Sequence, residues 1–144
     1  QRPQEKQCVY YLKPDLKSIV LVADDLLQPN GIAGTPDGKT LFVADIRAGK
    51  TWKFKITADG TLTGKELFCE MGSDGMAIDS KGNLYLTGRG VTIFDRTGRK
   101  LGNIPVPVNW SANVCFGGSD LKILYITASR SLYRIRLKVK GTTG

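Results

Sequence analysis

Three polar residues, Asn30, Asp74 and Asn113, stand at the head of three similar stretches, 44 and 39 residues apart. Asn carbonyls and Asp carboxylates are hard oxygen donors, suited to calcium or magnesium. The chain contains no histidine. It therefore lacks the usual triad base, the usual zinc ligand and the usual general base near neutral pH. Chemistry in this chain has to run on carboxylates, amides, a bound ion or groups supplied from elsewhere. The competing reading of the same three residues is structural, because Asn and Asp also cap turns by bonding to nearby backbone.

The elements that would position them repeat. Each polar residue opens a short apolar strand, which turns at a Gly- or Asp-rich loop and returns as a strand centred on an aromatic. The aromatics are Phe42, Tyr85 and Tyr125, spaced 43 and 40 residues apart. A period of about 40 residues built only of short strands is the sequence sign of propeller blades. The fold class expected is all-β, a β-propeller to which this chain supplies about three and a half blades. Residues 8–23 read as the outer strands of an incomplete blade, 30–70 and 72–108 as full blades, and 109–140 as a final blade lacking one strand. Within these, strands are expected at 41–44, 51–57 and 67–70, and the last at 131–139. Propellers close with about four to eight blades, so a second polypeptide or segment carrying the amino-terminal half is expected to complete the ring.

The net charge is +8, with 41% hydrophobic residues and 17 glycines. The basic residues are scattered and accompany no nucleic-acid motif, so nucleic acid is not an expected partner. No apolar run reaches the roughly 20 residues of a membrane helix. The expectation is a soluble chain of the cytoplasm or the bacterial periplasm, with no membrane partner. Cys8, Cys69 and Cys115 have no metal-site spacing, and Cys115, in a strand pattern, is expected to be a buried thiol. Trp52 and Phe54 alternate on one strand and read as packing between blades. Arg89 occupies a turn and could face either end of its blade.

Three motifs in order carry a resemblance: 28–33 with 36–45, 73–79 with 82–85, and 112–118 with 124–127. With their Pro-Asn-Gly, Ser-Asp-Gly and Asn-x-x-Phe-Gly-Gly cores they closely resemble the carboxy-terminal half of the gluconolactonase, or senescence-marker-protein (regucalcin)-like, family. The resemblance covers residues 8–140 and implies a six-bladed propeller that hydrolyses sugar lactones around one divalent cation in its axial channel. The cation expected is calcium, with magnesium, zinc or manganese as alternatives. It further implies Asn30 and Asp74 as metal ligands, joined by a Glu and another Asn outside this chain. Asp74 would also orient or deprotonate the attacking water, and the cation would polarise the lactone carbonyl. Asn113 is expected in the channel or supporting it; the Trp110 ring could border the mouth and contact substrate, and Met76 could line the channel, with filling space as its simpler reading. A metal-bound carboxylate is a weakened base, so Asp24 and Asp25 are weighed as a second carboxylate against the simpler reading of an exposed turn. The alternative function is a calcium- or small-ligand-binding propeller without strong catalysis.

Overall fold

Continuous apolar stretches in the middle of the chain and alternating ones at its ends demand different neighbours, and the sheets supply them. A computed structural model describes residues 5–142, in which thirteen strands form four antiparallel sheets. The first pairs β1 (Val9–Leu12) with β2 (Ile19–Ala23). The second is the meander β3 (Pro29–Gly34), β4 (Thr40–Asp45), β5 (Lys50–Ile56) and β6 (Leu62–Cys69). The third repeats it with β7 (Met76–Ile78), β8 (Leu84–Gly88), β9 (Gly90–Phe94) and β10 (Lys100–Ile104). The fourth holds β11 (Asn113–Gly117), β12 (Ile123–Ala128) and β13 (Ser131–Arg136). This is an all-β architecture of propeller-like blades in an open series.

Packing between sheets explains the composition of the central strands. Every residue of β8 is buried. Its Leu84 and Leu86 face a core with Phe42, Phe68 and Phe94, while Tyr85 faces the other way, onto Val114, Leu124 and Ile126. Phe42 and Phe68 meet edge to face at 4.8 Å, and Tyr85 meets Phe116 the same way at 5.2 Å. A third core joins Val9, Ala23 and Leu26 to Val43 and Phe54. A strand covered on both faces must be apolar throughout, which is why β4 and β8 show no alternation.

Two strand limits differ from expectation by three residues or more. β6 begins at Leu62, earlier than the expected 67, because Leu62 and Thr63 still pair with Ile56 and Lys55 across an irregular register. β13 stops at Arg136 rather than 139. The chain beyond it turns to the lower end of β7, where Ser80 N–H donates to Lys140 O (2.8 Å) and Thr142 N–H to Ile78 O (3.2 Å). Cys115 is also corrected: it is exposed, because its face of β11 meets no further sheet among the described residues. Phe54 is buried as expected, and Trp52 lies under the Lys65 ammonium at 4.4 Å.

Burial pushes the Cys69 thiol up to about 11, and the Tyr85 phenol is raised too, by burial and then by the Asp79 charge. Below about pH 9 the thiol is protonated in folded and unfolded chain alike, and its contribution is whole. Above that the unfolded thiol ionises first, so stability falls as pH rises towards 11. The expected loss at Cys69 is about 2 kcal/mol, read as a falling urea midpoint between pH 8 and 11. A Cys69→Ala variant should show a flatter decline; an identical one would remove Cys69 as the cause.

Candidate functional site

The ten aspartates divide by place in the fold. Asp15, Asp37, Asp59, Asp79, Asp95 and Asp120 all sit in turns at one end of the sheets, and each accepts the backbone N–H two residues on. These are turn caps. Hydroxyls strengthen them: the Asp59 carboxyl is lowered to about 2 chiefly by Thr57, and Asp95 to about 2 chiefly by Thr97. The other four aspartates lie at the opposite end, where β3, β7 and β11 begin. Asp24 is paired with Lys6 at 3.6 Å and Asp25 with Lys65 at 2.6 Å, so the structure ties both to lysines rather than to Asp74.

Asp45 is buried at 2% exposure and has no cationic partner among the described residues. Its carboxylate accepts backbone N–H groups from Leu27 (2.8 Å), Gln28 (2.9 Å) and Ala48 (3.2 Å), fixing the loop that leads into Asn30. Asp45→Ala is expected to destabilise the fold by about 2 kcal/mol, since it leaves buried donors unsatisfied. A denaturant midpoint matching the parent protein would contradict that role.

Asp74 remains, and among the described residues its carboxylate is held by side chains alone. Asn30 Nδ2 donates to Oδ1 at 3.0 Å, and Trp110 Nε1 donates to Oδ2 at 2.9 Å. Residues 36 and 44 positions away in sequence thus meet on one half-buried carboxylate. Asn30 and Trp110 are both exposed at this end of the sheets. Asn113 is adjacent but engaged differently: its Oδ1 accepts the N–H of its own neighbour Val114 at 2.8 Å, and the side chain lies against Gly75. Met76 is buried in the core between the second and third sheets, its methyl against Gly31, so it fills space there rather than lining an open channel.

Glycines set how closely these strands approach. A Cβ on Gly31 would lie 2.8 Å from Ser73 O, and one on Gly75 would lie 2.1 Å from Asn113 Oδ1 and 2.8 Å from Asn113 Cα. The Asn-Gly and Asp-Gly pairs therefore combine a polar side chain at the mouth with the small neighbour that lets the next strand in. Sequence reasoning did not single out the layer beneath. Ser73 and Thr87, at 1% and 0% exposure, bond hydroxyl to hydroxyl at 3.1 Å. Thr87 Oγ1 accepts Gly75 N–H at 3.0 Å, and Ser73 Oγ accepts Thr87 N–H at 2.7 Å. The loop carrying Asp74 is thereby locked to β8. Its sequence signal was a Ser directly before the Asp-Gly pair and a Thr ending an otherwise apolar strand.

Asp74 and Asn30 offer one anionic and one neutral oxygen donor. Each Asp74 oxygen keeps accepting capacity beyond its single N–H, and a half-turn of the Asn30 amide presents its carbonyl. The set fits a hard divalent cation in kind but falls short of the six to eight oxygens calcium takes. Among the described residues no group of three or more Asp, Glu, Cys or His is placed to hold a metal. Nor is any helix among them long and apolar enough to cross a membrane.

Comparison with known proteins places these features in context. Residues 1–130 match the family described as SMP-30/Gluconolactonase/LRE-like region. The chain is 32% identical to a gluconolactonase of Zymomonas mobilis, over 92% of this chain and 41% of that protein. It is 29% identical to a lactonohydrolase of Aspergillus oryzae, over 96% of this chain and 36% of that one. A solved gluconolactonase structure from Xanthomonas campestris superposes with a TM-score of 0.84 at 31% identity, covering 95% of this chain and 46% of the other. The chain thus spans less than half the length of these relatives.

Proposed function

The chain belongs to the SMP-30/gluconolactonase/LRE-like family, and from that premise we propose that it forms part of a metal-dependent lactonase acting on sugar lactones. The observation that carries this reading is the Asp74 carboxylate, set apart from the turn-capping aspartates and held at the mouth by Asn30 and Trp110. Asn30 and Asp74 are the residues that would hold a divalent cation, calcium before magnesium, manganese or zinc. Such an ion, when bound, supplies Lewis-acid polarisation of the lactone carbonyl.

The chain's own residues have defined parts. Asp74 accepts a proton at a carboxylate oxygen as water adds to the carbonyl carbon. It returns that proton to the ring oxygen as the ring C–O bond breaks, leaving an open-chain hydroxy acid. The Trp110 N–H holds Oδ2 so that the carboxylate does not swing, and the exposed indole borders the bound sugar. Asn113 and the Ser73–Thr87 pair keep the loop in place. The remaining oxygen donors come from outside this chain, on a second polypeptide carrying the amino-terminal half of a six-bladed ring.

Lactone hydrolysis by the protein is expected to stop with a chelator and to return with added divalent cation. Activity that is indifferent to chelator would overturn the metal-dependent reading. The single carboxylate of the site favours one alternative, a calcium- or small-ligand-binding propeller without strong catalysis; calorimetric ion binding with no hydrolysis would select it.

A further inference from the structure

At the same end of the third sheet, beside the Trp110 segment, lies a groove of roughly 450 Å³ lined by Arg89, Gly90, Asn103, Asn109 and residues 105–108. We infer that Arg89 and this groove bind an anionic substituent of the substrate, a carboxylate, phosphate or sulfonate carried on the sugar away from the lactone carbonyl. The inference rests on the lactonase reading and names the substrate class within it.

The groove's lining contains no Asp or Glu. Arg89 takes part in none of the ion pairs among the described residues, a state it shares with Arg47, Arg96, Arg130 and Arg134; what sets it apart is that it is the one cation lining this groove. An exposed guanidinium beside a polar groove presents a fork of donors that matches an oxyanion in two-point contact.

The turn holding Arg89 is built rather than loose. Asn103 Nδ2 donates to Arg89 O at 3.1 Å and to Thr92 Oγ1 at 3.0 Å. Gly90 adopts φ +75°, and a Cβ there would lie 2.5 Å from Ile104 O, so the turn lies tight against β10. Pro105 and Pro107 in the lining have no N–H to offer, and the guanidinium is the one charged donor the groove presents.

The groove is also tied to the mouth. Ser111 N–H donates to Gly88 O at 2.8 Å. This bond sets the residue before Arg89 against the residue after Trp110, whose indole reaches Asp74. The Arg89 groove and the Asp74 carboxylate thus adjoin one short segment, residues 109–111.

The test is calorimetric titration of the protein with gluconate and with 6-phosphogluconate, neither of which requires turnover. The phosphorylated acid is expected to bind about tenfold more tightly at low salt, with the preference shrinking as salt rises. Arg89→Ala should bring the two acids within about twofold of each other, and Arg89→Lys should keep part of the difference. Equal binding by the parent protein, no binding of either acid, or a preference that survives Arg89→Ala would each overturn the inference. Parallel hydrolysis assays separate this from the lactonase reading. Turnover of both lactones by the completed ring without an anion preference sinks the groove and spares the lactonase; no turnover of either lactone by the completed ring, with divalent cation added, sinks the lactonase reading, whatever the titration gives.

Discussion

Asp74→Ala is expected to lower lactone hydrolysis by about 10³-fold while leaving the fold nearly as stable as before. The activity loss follows from the proposed role of Asp74 in accepting and returning the proton, a role typically worth about 10²- to 10⁴-fold. The carboxylate is also the one anionic donor this chain gives to the proposed ion. The stability effect is small because Asp74 is only half-buried and its two partners, Asn30 and Trp110, are exposed and can turn to water. Asp74→Asn separates shape from charge. Its amide oxygen can still accept the Trp110 N–H, yet it cannot take up a proton at neutral pH, so it should be nearly as inactive as the alanine variant. The measurement is kcat on a sugar lactone beside the thermal midpoint of each variant. Activity within threefold of the parent protein would remove Asp74 from the chemistry.

Gly75→Ala is expected to destabilise the protein by about 3 kcal/mol or more, the upper range for forcing extra volume into a packed contact. The added carbon would meet Asn113 at its Cα as well as its side chain. Rotating Asn113 relieves only part of the clash; the rest requires β11 to withdraw from β7. Gly34→Ala, in β3, is the matched control, because its nearest neighbours stand at 3.8 and 4.0 Å, ordinary contact. Denaturant midpoints of the two variants decide the matter. If Gly75→Ala and Gly34→Ala agree within about 0.5 kcal/mol, close strand approach is not what the glycine provides.

The repeat made most strand positions legible, because a period near 40 residues with aromatic-centred second strands fixes which segments pair. It also put Asn30 and Asp74 at equivalent positions, and the two side chains are hydrogen-bonded. What pattern could not reveal was which face of a strand has a neighbour. Cys115 sits in a strand pattern like that of a core residue, but its face of β11 is uncovered. Met76, two residues from Asp74, points into the inter-sheet core because strand alternation carries it there. The Ser73–Thr87 hydroxyl pair escaped notice because such residues are common in turns, and only burial turns them into a lock. The start of β6 was obscured by its polar Thr63-Gly64-Lys65 stretch, where an irregular register keeps the pairing alive.

Each turn aspartate at the far end caps its own turn, and the two bonds that reach these carboxylates from a neighbouring strand, Tyr85 to Asp79 and Arg136 to Asp120, stay at that end. The two ends of the molecule can accordingly be altered separately. Lys39 and Lys81, each beside such a turn and exposed, are natural handles for coupling the protein to a solid support or a dye. A molecule tethered there stands with its Asp74 end turned outward to the solution.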